Sequence, residues 1–267
     1  HIKAQELKKI SIPLPPLAEQ KAIADTLGTF DAHIKNFAEL IEKKKAIRDG
    51  ALEDLMSGKI RLKGFSGDWE EVNFYDVIIP KARIGWQGLK KHEYLRHGYS
   101  YLIGGTDFHN GTVNLANVCY VSKERYDMDK NIQVSENDVL VTKDGTIGKV
   151  AIAPELNKPA TLNSGVFVFK TNDKLEQRFL YRVLSSLIFE KFIKTLAAGS
   201  TIKHLYQKDL KNFSFFLPSL AEQQAIAEIL TAFDNEIKAL EAEREKIIKI
   251  RDGAMNDLLT GKIRLKF

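Results

Sequence analysis

The side chains best suited to chemistry lie in loop-like stretches of the middle of the chain. Lys81, Arg83, Trp86, Gln87, Lys90 and Lys91 crowd one of them, with Tyr94 and Arg96 just behind and Glu93 as the only acid of the run. Basic groups neutralise phosphates, an aromatic ring stacks and an amide reads a base edge, so the mixture suits nucleic-acid contact; a solvated basic loop has the same composition. Gly104, Gly105, Thr106 and Asp107 form a turn between two strand-like runs, and Lys143, Asp144, Gly145, Thr146, Ile147, Gly148 and Lys149 form another. Asp-Gly is a strong hairpin dipeptide, so a plain turn accounts for the second. Two lysines and a threonine on a tight loop also fit a phosphate or a groove edge, because glycine lets a backbone come close. Asn163 and Ser164 open the next strand, and Ser200, Thr201 and Lys203 close the region. These residue types reach base and phosphate edges, and they also cap and turn.

Catalysis finds no support in the motifs. His1, His33, His92, His97, His109 and His204 fall in no HExxH-like spacing, no GxSxG occurs, and the Lys143–Lys149 loop does not meet the GxxxxGK[ST] spacing of a Walker loop. The carboxylates near Lys143 do not assemble the order a metal nuclease needs. No metal, no cofactor and no active site are expected.

Composition sets wider limits. The 267 residues are 44% apolar and 28% charged, which is ordinary for a globular chain of one or two domains. A net charge of +5 permits nucleic-acid binding without requiring it. No apolar run approaches the ~18 residues of a membrane span, so no membrane association and a cytoplasmic location are expected. Cys119 has no cysteine partner and is expected to be a buried thiol.

The elements that must position these loops include a stretch written twice. Leu14 to Lys63 reads LPPLAEQKAIADTL, IRDGALEDL and SGKIRLK; Leu217 to Lys266 reads LPSLAEQQAIAEIL, IRDGAMNDL and TGKIRLK. From His1/His204 onward the register holds without a gap and about half the positions are identical, an internal duplication. Each copy predicts one long helix, with proline before its start, Glu19 or Glu222 in the first turn and Gly58 or Gly261 as the stop. Ile23, Leu27, Phe30, Ile34, Phe37 and Ile41 alternate by four and three residues, as do their counterparts from Ile226, which is a heptad seam. The two helices, Ala18 to Met56 and Ala221 to Leu259, are expected to pair antiparallel. Arg48 and Arg251 fall on the seam, where a charge is costly unless paired, so each is expected to meet a carboxylate or carbonyl across the pair.

Between the copies the pattern changes to short β-rich runs at Val72 to Ile79, Ser100 to Ile103, Val118 to Val121, Val139 to Thr142, Lys149 to Ile152 and Ser164 to Lys170. Apolar residues at helical spacing predict one amphipathic helix over Glu176 to Ala197. The fold class is α+β: one mixed α/β domain plus two long helices forming an antiparallel coiled coil.

These motifs carry a resemblance. LPPLAEQ and LPSLAEQ, IRDGA, the GKIRL exit, the GST turn before HLYQKDL, and the GTDF and TKDGTIGKVAI loops together resemble the specificity subunit of type I restriction-modification systems, over the whole chain. The resemblance implies a non-catalytic protein that reads one half of a split sequence in double-stranded DNA. Its paired helices would act as a spacer and dock modification subunits that use S-adenosylmethionine, in an assembly whose restriction subunits use ATP and Mg²⁺. It divides the chain into the closing strand of a missing first recognition domain (1–16), a central helix (17–63), a target-recognition domain (64–218) and a distal helix (219–267). The sequence begins inside a repeat unit and is expected to be a piece of something longer. Its unpaired SIPLP edge suggests self-association. The alternative reading is a coiled-coil adaptor that binds protein, which has no reason to keep Lys, Arg and aromatic residues clustered on loops.

Overall fold

The computed structural model describes residues 12, 14–85, 88–197 and 204–265. The first copy of the repeat is helical over Leu17–Met56 (α1) and stops where Gly58 turns left-handed, at φ +68°. Glycine takes that conformation without a Cβ clash, and its N–H closes the helix end on the Leu55 carbonyl at 3.2 Å. Then follow β1 (Glu70–Asn73), the single turn α2 (Phe74–Val77), β2 (Ile78–Ala82), β3 (Ser100–Ile103), β4 (Phe108–His109), β5 (Thr112–Val113), β6 (Cys119–Val121), α3 (Lys123–Asp127), β7 (Gln133–Val134), β8 (Val139–Thr142), β9 (Val150–Ile152), β10 (Ala160–Leu162) and β11 (Val166–Thr171). Two helices, α4 (Gln177–Ser185) and α5 (Leu187–Ala197), a turn α6 (Gln207–Leu210) and β12 (Ser214–Leu217) lead to the second copy, α7 (Leu220–Leu259). None of the helices, among the described residues, is long and apolar enough to cross a membrane.

Three expectations are corrected. The run Val72 to Ile79 is not one strand: Asn73 accepts the Tyr75 N–H and Asp76 accepts the Asn73 N–H, a reciprocal cap that nucleates α2 between β1 and β2. The helix over Glu176 to Ala197 is two helices, because Ser186 is extended (ψ 171°) and its hydroxyl accepts the Ile188 N–H to start the second. Cys119 is exposed, at the start of β6 on the edge of its sheet, rather than buried. Of the expected closing strand His1 to Pro16 with its SIPLP edge, residues 1–11 and 13 lie outside the described residues.

The chain forms two compact units, one of His1–Gly50 with Thr231–Phe267, the other Ala51–Leu230. In the first, the two helices run antiparallel, the partners along one falling in number as those along the other rise. Arg48 Nη1 lies 3.1 Å from Asp234 Oδ1, Lys45 Nζ 2.9 Å from Glu241 and Arg251 Nη1 3.3 Å from Asp31. Arg48–Asp234 and Arg251–Asp31 are the same pair seen from the two copies, so the seam arginines are paired as expected. Ile23, Ile41 and Ile237 are buried along the seam. The unit also holds buried Glu19, gripped by Arg264 through two hydrogen bonds of 2.6 and 2.5 Å. Hydrogen bonding to Arg264 holds the Glu19 carboxyl below its usual range.

The second unit is layered. A six-stranded sheet runs β2-β11-β8-β9-β5-β4 and a four-stranded one β6-β3-β10-β7, while β1 and β12 form a ribbon. Along β8, Val139 and Val141 face one apolar cluster with Phe179, Leu180, Val183 and Phe189 of the helices, while Leu140 faces another with Ile103 and Leu162 of the smaller sheet. Along β11, Phe167 and Phe169 join the first cluster, Val166 and Val168 the second. A strand buried on both faces needs apolar side chains at every position, which is why VLV and VFVF show no polar alternation. In the same unit Arg61 donates to both oxygens of buried Glu222 at 2.7 Å. This repeats the Arg264–Glu19 clamp in the other copy's residues. Arg125 pins the basic loop by gripping Glu93, Nη2 to Oε2 at 2.7 Å, and by donating to the Gly88 carbonyl at 3.1 Å.

Three outcomes are expected. A double-mutant cycle of Arg251→Met with Asp31→Asn, read by chemical denaturation, should give a coupling of only about 0.2–1 kcal/mol, because the pair is solvent-screened; Arg61→Met should lower Tm more than Arg251→Met does, because it strands a buried carboxylate. The hydrogen bonds from Arg125, and next from the Lys90 N–H, hold Glu93 down to about 2. The pair's contribution is therefore complete above an ordinary glutamate's ~4.3 and lost as pH falls through the depressed value. Carboxyl NMR should place the Glu93 midpoint near 2 in the parent and return it to the ordinary range in Arg125→Gln.

Candidate nucleic-acid interface

Strand order brings the loops together. β10 runs parallel to β3 with Leu162 beside Ile103, so Gly104 and Asn163 leave their strands side by side. β11 then runs back, pairing Val166 with Thr142 of β8 and Phe167 with Ala82 of β2. The segments after β2, β3, β8 and β10 thus emerge at one end of the domain. Backbone bonds knit them: the Lys143 N–H donates to Gly165 O at 2.9 Å, the Leu205 N–H to Lys143 O at 2.8 Å and the Asn163 N–H to Ile103 O at 2.8 Å.

Most of the described sequence-predicted residues meet here. Asp144 pairs with His204, Oδ1 to Nδ1 at 2.5 Å, and a Cβ on Gly165 would stand 3.6 Å from the Asp144 carboxylate. Asp107 accepts the Gly104 N–H at 2.8 Å, and burial pushes its carboxyl up from the ordinary aspartate value against the pull of that bond. Thr106 and Thr146 are exposed on their turns, as is Ser164. The Lys143–Lys149 loop is a hairpin between antiparallel β8 and β9, its Thr142 hydroxyl donating to the Thr146 carbonyl. Lys143 Nζ lies 5.7 Å from the centre of the Phe167 ring, and Lys149 Nζ donates to the Phe108 carbonyl, so the two lysines reach the cluster with part of their donor capacity committed. Lys90 and Lys91 are exposed on the loop that Arg125 pins, and Tyr94 of that loop donates to Asn163 Oδ1 at 3.2 Å.

Two basic residues stand apart. Lys81 sits within β2 opposite Val168, half-buried. Arg83 is 3% exposed; its Nε donates to Leu162 O at 3.0 Å, and burial pulls its pKa below the ordinary value. It braces the strand end beneath the loops rather than offering its charge to a phosphate. Trp86, Gln87, Ser200, Thr201 and Lys203 lie outside the described residues. The reading from sequence missed His204, Arg125 and the bracing role of Arg83, since none of these has a local signature; Tyr94 was visible only as an aromatic among bases.

The arrangement offers donors, acceptors and exposed cations on one face, which is chemistry for binding a polar edge. A family model for the type I restriction modification DNA specificity domain matches residues 1–45 and 67–249. The type I restriction enzyme MjaVIII specificity subunit of Methanocaldococcus jannaschii is 31% identical over 282 residues, covering all of this chain and 65% of that one. The EcoBI specificity subunit of Escherichia coli is 27% identical over 246 residues, covering 85% and 52%. The type I restriction-modification S subunit from M. genitalium shares the fold at a TM-score of 0.64 and 20% identity, over 97% of this chain and 65% of that one. The chain spans under two thirds of the length of these relatives. The long matched span makes the family plain: this chain belongs to the type I restriction modification DNA specificity domain family.

Proposed function

We propose that the chain reads one half-site of a bipartite DNA target within a type I restriction-modification complex, with its helix pair spacing the recognition and docking modification subunits. Restriction subunits join the same assembly, and the chain performs no catalytic step itself. The observation that carries this reading is the convergence of four loops at one end of the recognition domain. Exposed Lys90 and Lys91, with Lys143 and Lys149, are the phosphate contacts. Thr106, Asp107, Asp144, Thr146, Asn163 and Ser164 face the bases, and Trp86, Gln87, Ser200, Thr201 and Lys203 belong to the same interface. Lys81 and Arg83 are withdrawn from it on their positions within a strand and beneath the loops.

Phosphate contacts release counterions and carry no sequence information, whereas base contacts act on one sequence only. Lys90→Ala/Lys91→Ala should weaken binding to preferred and scrambled duplexes alike and lower the salt slope by about one unit per lost contact. Thr146→Ala should cost about 1–3 kcal/mol on the preferred duplex alone. Paired titrations at two salt concentrations measure both. A protein-binding adaptor would show no DNA affinity to weaken, and an unchanged slope would move the phosphate contacts off this loop.

A further inference from the structure

The interface contains one amide whose orientation is settled by its neighbours. Asn163 Oδ1 accepts the Ser164 backbone N–H at 2.7 Å and the Tyr94 hydroxyl at 3.2 Å, with the Ser164 hydroxyl at 3.5 Å as a more distant third donor. A backbone N–H can only donate, so turning the amide over would set two donors face to face at 2.7 Å. The oxygen therefore faces Ser164 and Tyr94, and its two lone pairs are both used. Among the described residues the Nδ2 group has no hydrogen-bond partner, and a Cβ on Gly104 would lie 3.7 Å from it. The same position lies 3.6 Å from Asp107 Oδ2 and 3.8 Å from Thr106 Oγ1, so the NH₂ stands beside the Gly104–Asp107 turn. The residue behind it is fixed from two sides, by its own N–H on Ile103 O and by Arg83 on Leu162 O.

Asparagine ordinarily reads adenine in the major groove with both ends of its amide, the oxygen accepting from N6 and the nitrogen donating to N7. Here the oxygen has nothing left to accept with. We propose that Asn163 is a specificity-determining residue that acts as a donor only, selecting a base edge that offers acceptors and no donor; guanine, with N7 and O6, is the edge that takes both amide hydrogens. This rests on the DNA reading above. It assigns Tyr94 a positioning role: its hydroxyl occupies the lone pair that adenine would need.

The test is selection from a pool of randomised duplexes by the full chain, its Asn163→Asp variant and its Tyr94→Phe variant. Asn163→Asp keeps the oxygen that accepts from Ser164 and Tyr94 and exchanges the amide donor for an acceptor. It should lose about tenfold or more on the parent's preferred duplex at a single guanine position, with preference there moving toward cytosine, whose major-groove edge is a donor. Tyr94→Phe returns one lone pair and should admit adenine at that same position while the rest of the site is unchanged; it also serves if Asn163→Asp fails to fold. If the parent enriches a site and both variants enrich that site unaltered, or if the position affected is adenine in the parent, the donor-only assignment is overturned. If the parent enriches no sequence, the DNA reading itself falls, and this inference with it.

Discussion

Two buried carboxylates, Glu19 and Glu222, set the terms for the rest of the molecule. Each lies in the first turn of a 40-residue helix, where the exposed N–H groups favour negative charge, and each is closed off from water by a two-pronged arginine, Arg264 and Arg61 respectively. A buried charge without its partner is among the costlier defects a fold can carry, so the exit segment GKIRL has to sit where its arginine completes the pair. That requirement explains why the motif is repeated intact in both copies. It fixes where the chain turns after each helix.

The loop end works by a different economy of charge. Cations near a polyanion site serve best when exposed, yet Arg83 is buried and spends its guanidinium on a backbone carbonyl. The gain is rigidity: Leu162 ends its strand in one place, so Asn163, Lys143 and Gly165 share a fixed geometry. Arg125 does the same for the basic loop through Glu93 and Gly88. Pre-ordered groups lose less freedom on binding, and a recognition surface gains discrimination from that.

How much of this was legible in the sequence depended on how local the cause was. The two long helices and the strands Ser100–Ile103 and Val139–Thr142 follow from periodicity and from uninterrupted apolar runs, and they stand as read. The breaks at Asn73 and Ser186 came from single caps, visible only to someone already asking where a helix starts. β10, with ATL, is too short and too plain to announce itself, although it is the strand that delivers Asn163. The candidate loops were legible as polar, glycine-rich punctuation. Which of their charges turn inward was not, because Arg83 is hidden by a carbonyl 79 positions away and Asp144 is matched to a histidine 60 positions away.

The ribbon of β1 and β12 has a bearing on replacement of the segment it closes. Glu70 pairs with Leu217 and Asn73 with Ser214, so the strands and loops between the two long helices begin and end on two neighbouring strands held in register. The segment between Asn73 and Ser214 is closed at its base by that doorway. An insertion whose ends are already clasped adds closure entropy only slowly with its length. Any replacement of the intervening segment has to keep both the clasp and the apolar face of Phe179, Leu180 and Leu184 that meets Leu55, Met56, Ile226 and Leu230 of the long helices.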